Sequence, residues 1–138
     1  MRRLLLVMLA VGAVAAPAAG AYESATFKTP SGNIVCAYSQ WGSRESVRCD
    51  IRSGMTPKPS RPRGCNLDYG QGLSVSGTGR GRVTCAGDTI LGMGGRALLY
   101  GTTFRRGRIA CTSSKAGLRC TNKEGHGFFL SRERWSVS

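Results

Sequence analysis

The sequence predicts an all-β domain, a small antiparallel sheet or partly closed barrel of about six to eight short strands, stapled by three disulfides. Three observations carry that expectation. Twenty of 138 residues are glycine, a residue costly inside helices and useful in turns. Six cysteines form an even set in a short chain with an export-like N-terminus, the usage of a disulfide framework. Apolar residues alternate with period two in short runs, and none keeps helical spacing for three turns.

The elements follow in chain order. Residues 33–39 alternate, with Ile34, Cys36 and Tyr38 on one face. Residues 46–52 repeat the pattern, Val47, Cys49 and Ile51 inward and Arg48, Asp50 and Arg52 outward. Residues 40–45, with Trp41 and Gly42, read as the polar loop of this first hairpin. Pro57, Pro59 and Pro62 make residues 56–64 an extended connection, because proline donates nothing to a ladder. Residues 72–76 and 80–86 form a second hairpin across Gly77-Thr78-Gly79, and residues 87–96 are turn-rich. Residues 97–104 are a short apolar element interrupted at Gly101. Residues 108–112 and 118–122 form a third hairpin, and residues 126–132 a final strand. The first and third hairpins are faintly similar: Gly32-Asn33-Ile34-Val35-Cys36-Ala37 matches Gly107-Arg108-Ile109-Ala110-Cys111-Thr112, and Val47-Arg48-Cys49 matches Leu118-Arg119-Cys120.

Six cysteines allow 15 pairings, and the hairpins narrow them. Cys36 and Cys49 lie on inward faces of adjacent strands, as do Cys111 and Cys120. Opposed cross-strand residues bring their Cβ atoms within about 4.5–5.5 Å, near the disulfide range. The expected bonds are therefore Cys36–Cys49 and Cys111–Cys120, leaving Cys65–Cys85. No metal site is expected: no C-x-x-C pair exists and His126 is the single histidine. No cofactor is indicated.

Arg2 and Arg3, the apolar run 4–16 and Ala19-Gly20-Ala21 have the form of a cleavable export signal. Residues 1–21 are thus expected to be removed, leaving residues 22–138 as one domain. The apolar run is shorter than the roughly 20 residues of a membrane helix, so no membrane span is expected. The expected location is the medium, the periplasm or the cell envelope, and the expected state a monomer.

The chain carries 20 Lys+Arg against 7 Asp+Glu, a net charge of +13, and 16 of the cations are arginine. Arginine suits planar, bidentate contact with carboxylate or phosphate. By alternation Arg48, Arg52, Arg80, Arg82, Arg108 and Arg119 point away from the cysteine face. On neighbouring strands they would form one basic surface for an anionic partner. The few aromatics are not interleaved as a base-stacking platform needs, so specific nucleic-acid recognition is not expected.

Several segments together resemble a family of small secreted bacterial proteins classed as a domain of unknown function. They are Thr29-Pro30-Ser31-Gly32-Asn33-Ile34-Val35-Cys36-Ala37, Val47-Arg48-Cys49-Asp50-Ile51 and Cys85-Ala86-Gly87-Asp88-Thr89. Further on come Leu99-Tyr100-Gly101-Thr102-Thr103, Gly117-Leu118-Arg119-Cys120 and Gly125-His126-Gly127-Phe128-Phe129-Leu130-Ser131-Arg132. The resemblance implies an exported, cysteine-stapled domain and no particular activity.

No complete catalytic constellation is present. His126 with Glu124 nearby could serve acid–base chemistry, but no nucleophile adjoins it; a histidine between glycines also suits the start of a strand. Asp50, Asp68, Asp88, Glu124 and Glu133 show no dyad spacing and read as ion-pair or turn residues. Asp88 within Gly87-Asp88-Thr89 suits a turn, though it and His126 are kept as possible functional positions. Gly77-Thr78-Gly79-Arg80-Gly81 lacks the helix and lysine of a phosphate loop.

The function expected is a non-enzymatic binding or accessory domain, contacting an anionic envelope polymer or an exported protein through its arginines. Two alternatives stand beside it. One is an inhibitor of a secreted hydrolase that inserts Trp41 on its loop. The other is a small hydrolase using His126.

Overall fold

The computed structural model describes residues 11–16 and 20–138. Arg2, Arg3, most of the apolar run and Ala19 of the expected cleavage motif lie outside the described residues. Eleven strands follow in order: β1 (Tyr22–Lys28), β2 (Ile34–Trp41), β3 (Arg44–Ile51), β4 (Tyr69–Ser76), β5 (Arg82–Cys85), β6 (Arg96–Ala97), β7 (Thr103–Arg106), β8 (Ile109–Ser114), β9 (Gly117–Asn122), β10 (Gly127–Leu130) and β11 (Trp135–Val137). They form a six-stranded sheet in the order β5-β4-β3-β2-β1-β6 and a five-stranded sheet in the order β11-β10-β9-β8-β7. All neighbours are antiparallel except β1 and β6. No helix among the described residues is long and apolar enough to cross a membrane.

The fold is all-β, and the partly closed barrel does not form. Each sheet keeps two edges, and no strand pairing joins them. The reason is that each hairpin carries a complete apolar face. Cys36, Tyr38, Val47, Cys49, Leu73 and Val75 in one sheet meet Ile109, Cys111, Leu118, Cys120, Phe128 and Leu130 in the other, all within one buried cluster. Stacking the two faces removes both from water without closure.

The first hairpin is longer than its sequence indicates. Trp41 pairs directly with Arg44, so the connection is the two-residue turn Gly42-Ser43 and not a six-residue loop. Gly42, at φ +58°, supplies the positive φ that the first position of a type II′ turn needs. Gln40, Trp41, Arg44 and Glu45 therefore extend the ladder, and Trp41 stands on a rigid strand end.

The cysteines pair as Cys36–Cys49, Cys65–Cys85 and Cys111–Cys120. Cys36 lies opposite Cys49 and Cys111 opposite Cys120 in register, with Cα atoms 4.1 and 4.0 Å apart. The two similar hairpins thus sit in opposite sheets with their disulfides facing. Cys49 Sγ and Cys120 Sγ approach to 4.0 Å at the centre of the core.

Cys65–Cys85 differs in setting. It ties the proline-rich connection to edge strand β5, and Cys85 is exposed. The four cysteines of the other two bonds are fully buried. A thiolate must reach a sulfur to exchange, so mild reductant is expected to open Cys65–Cys85 first. Stepwise reduction, alkylation and peptide mapping check this; label at Cys111 or Cys120 before Cys85 would overturn it.

Candidate ligand-binding face

Register assigns the outer face of the six-stranded sheet row by row. Side chains of directly paired residues share a face, and alternate rows point inward with the cysteines. The first outer row is Tyr22, Trp41 and Arg44. The second is four serines: Ser24, Ser39, Ser46 and Ser76. The third runs Thr26, Ala37, Arg48, Ser74 and Arg82. Small polar side chains across four strands leave the middle of this face low, between an aromatic rim and a row containing two arginines.

Two clefts open along it. One, of about 390 Å³, is lined by Tyr22, Trp41, Arg44, Glu45, Arg82 and Arg108 together with Ser39, Ser46 and Ser76 of the serine row. The other, of about 590 Å³, lies between β5 and the proline-rich connection and includes Arg48, Arg63 and Arg82. Ser46 and Arg82 line both, so the clefts adjoin. Arg44, Arg63, Arg82 and Arg108 are exposed, and no described carboxylate lies within 4.0 Å of the guanidinium nitrogens of any of them.

Glu45, in an inward row opposite Gln40, also lines the first cleft. Its carboxylate is buried, accepts from the Tyr38 hydroxyl at 2.9 Å and takes the Arg108 backbone N–H at 3.0 and 3.2 Å. Gly77 and Gly107 adjoin it, and a Cβ at either position would overlap the Glu45 side chain. Burial first, then the Glu45 hydrogen bond, pushes the Tyr38 pKa up to about 12.

Arg48 is not a free outward cation. Its Nε and Nη2 donate to Asp50 at 2.9 and 2.8 Å, and Nη1 and Nη2 reach Asp88 Oδ1 and the Asp88 carbonyl at 3.0 and 2.8 Å. Burial works against the Arg48 charge, but hydrogen bonds to Asp50 and Asp88 outweigh it and hold its pKa above the ordinary value. Asp88 thereby anchors the turn-rich segment, and Arg52 donates to the Gly32 and Leu91 carbonyls. Residues 3–137 match a family of unknown function, DUF6636. The chain belongs to that family. No curated protein and no solved structure is significantly similar to it.

The six arginines expected on one surface of this DUF6636 chain are divided. Arg48 and Arg82 share the outer face of one sheet, whereas Arg119, opposite Thr112 and Phe129, is on the outer face of the other. Arg119 lies 5.3 Å from the Phe129 ring centroid. The split follows from the two homologous-looking hairpins occupying different sheets. Arg108 reaches the first cleft from the β7–β8 turn, and Arg80 sits in the β4–β5 connection.

Among the described residues no carboxylate lies within 4.0 Å of the His126 imidazole nitrogens. Glu124 instead accepts from the Gly79 N–H at 2.8 Å. The buried Asn122 accepts the Glu124 and His126 N–H groups and donates to the Ser76 and Gly79 carbonyls. This network joins the two sheets. No group of three or more metal-ligating side chains occurs among the described residues.

Sequence alternation identifies Arg82 and Arg108, and Trp41 is expected on a polar loop; Tyr22, Arg44 and Arg63 are missed. Tyr22 lies on a strand with only Ala25 and Phe27 as apolar inward residues. Arg44 and Arg63 fall in segments that read as loops. Extending the period of β2 through Trp41 would have placed Arg44 opposite it.

Proposed function

We propose that this chain is an exported, non-catalytic binding domain for an anionic polymer of the cell envelope or medium. The observation that carries the reading is the adjacency of the two clefts at Ser46 and Arg82. Arg108, Arg44 and Arg82 line the first and Arg82 and Arg63 the second, and none of their guanidinia has a carboxylate partner among the described residues. Unneutralised guanidinia along one track favour an extended polyanion, because each contact releases a counterion. Three disulfides fit an oxidising compartment; the reading takes residues 1–21 to be removed on export and the domain to work as a monomer.

Binding to immobilised heparin across a salt series tests this. The triple variant R44Q/R82Q/R108Q is expected to bind at least tenfold more weakly and to lower the slope of log K against log salt by roughly two to three. Arg119→Gln, on the opposite face, is expected to change neither. A triple variant that binds as the parent does would remove the track from the account.

A further inference from the structure

The geometry points to a narrower ligand: the cleft beside Trp41 takes the acidic sugar units of a polysaccharide. This rests on the proposed polyanion reading and adds the chemistry of the repeating unit. Trp41 and Tyr22 are 66% and 61% exposed and are directly paired across β1 and β2. Exposed aromatic rings on paired strand ends offer apolar contact area. Their centroids are 6.1 Å apart and their planes are inclined at 51°.

Two rings so inclined cannot both lie parallel to one planar base, as stacking requires. A saturated sugar ring is puckered and presents C–H groups on its faces and around its rim. It can therefore meet two inclined aromatic surfaces at once.

The serine row supplies the second argument. Ser24, Ser39, Ser46 and Ser76 cross four strands, a ledge about 14 Å long at the usual strand spacing. Hydroxyls both donate and accept. Ionised phosphate oxygens only accept, so a polyphosphate would use half of that capacity. Sugar hydroxyls use both halves. Arg44 flanks the ledge on one side and Arg82 on the other, where guanidinia match carboxylates in bidentate fashion.

Isothermal titration of the purified protein with polygalacturonate, inorganic polyphosphate, poly(dT) and neutral dextran tests the inference. Polygalacturonate is expected to bind most tightly and dextran not measurably. W41A and Y22A are expected to weaken polygalacturonate binding about tenfold while leaving polyphosphate binding within twofold. In ¹H–¹⁵N spectra of the unsubstituted protein, polygalacturonate should shift the Trp41 indole resonance and leave that of Trp135 in place. Tighter binding of polyphosphate, with polygalacturonate binding indifferent to Trp41 and Tyr22, would overturn the sugar assignment and leave the polyanion reading standing. Preference for poly(dT) with a loss in W41A would overturn it in favour of a nucleic acid. Binding of none of the three polyanions would overturn both.

Discussion

Asp50→Ala is expected to destabilise the fold by about 3 kcal/mol, because it strands the polar groups gathered on a buried carboxylate. Asp50 is fully buried. It accepts from Arg48 Nε and Nη2, from Thr89 Oγ1 at 3.2 Å and from the Ile90 N–H at 3.1 Å. Removing it leaves the Arg48 guanidinium with only its Asp88 contacts and the buried Ile90 N–H unpaired. The Arg48 side chain keeps 20% exposure, which holds the loss below that of a fully buried pair. Chemical denaturation gives the value. Asp88→Asn is the companion variant: its side chain is 79% exposed, and such pairs contribute about 1 kcal/mol or less. A loss below 1 kcal/mol in Asp50→Ala would show that Arg48 and the turn simply rehydrate.

Alkaline pH is expected to weaken the fold through Tyr38. Its hydroxyl is buried against the Glu45 carboxylate, and its pKa stands at about 12 against 10.0 in the unfolded chain. The folded state therefore holds the phenolic proton more tightly. This contribution is complete below pH 10 and is lost as pH rises from 10 through 12, by up to about 3 kcal/mol. Tyr38→Phe should lower stability at neutral pH, since Glu45 loses a donor. It should also flatten the difference in stability between pH 9 and 12. If the variant and parent fall in parallel over that interval, Tyr38 is not the group responsible.

Much of the first sheet is legible in the chain. Period-two alternation around Cys36, Cys49, Leu73 and Val75 identifies the inward face because a half-buried strand must alternate. The same alternation sets the cysteines opposite one another. β1 and β11 escape detection for a physical reason. Each is an outer strand or near an edge, with few inward apolar residues, and is held by pairing to a neighbour. Local composition does not report that pairing. The Gly42-Ser43 turn is also hidden, since Gln40 and Arg44 are polar and read as loop residues when their partners are unknown.

The charges show the boundary most clearly. Arg48, Arg82 and Arg119 have the same local signature, an arginine alternating with an inward apolar residue or cysteine. Tertiary structure separates them. Arg48 folds onto Asp50 and Asp88, the latter 40 residues away; Arg82 stays open on the cleft; and Arg119 lies on the far sheet against Phe129. The sequence by itself determined the all-β class, the stapling cysteine pairs and the basic character, since these depend on periodicity, parity and composition. The tertiary structure alone decided which hairpins face each other, which arginines remain unneutralised, and that Tyr22, Trp41 and four serines share a surface. Those outcomes depend on contacts between residues far apart in the chain, made when two apolar sheet faces exclude water.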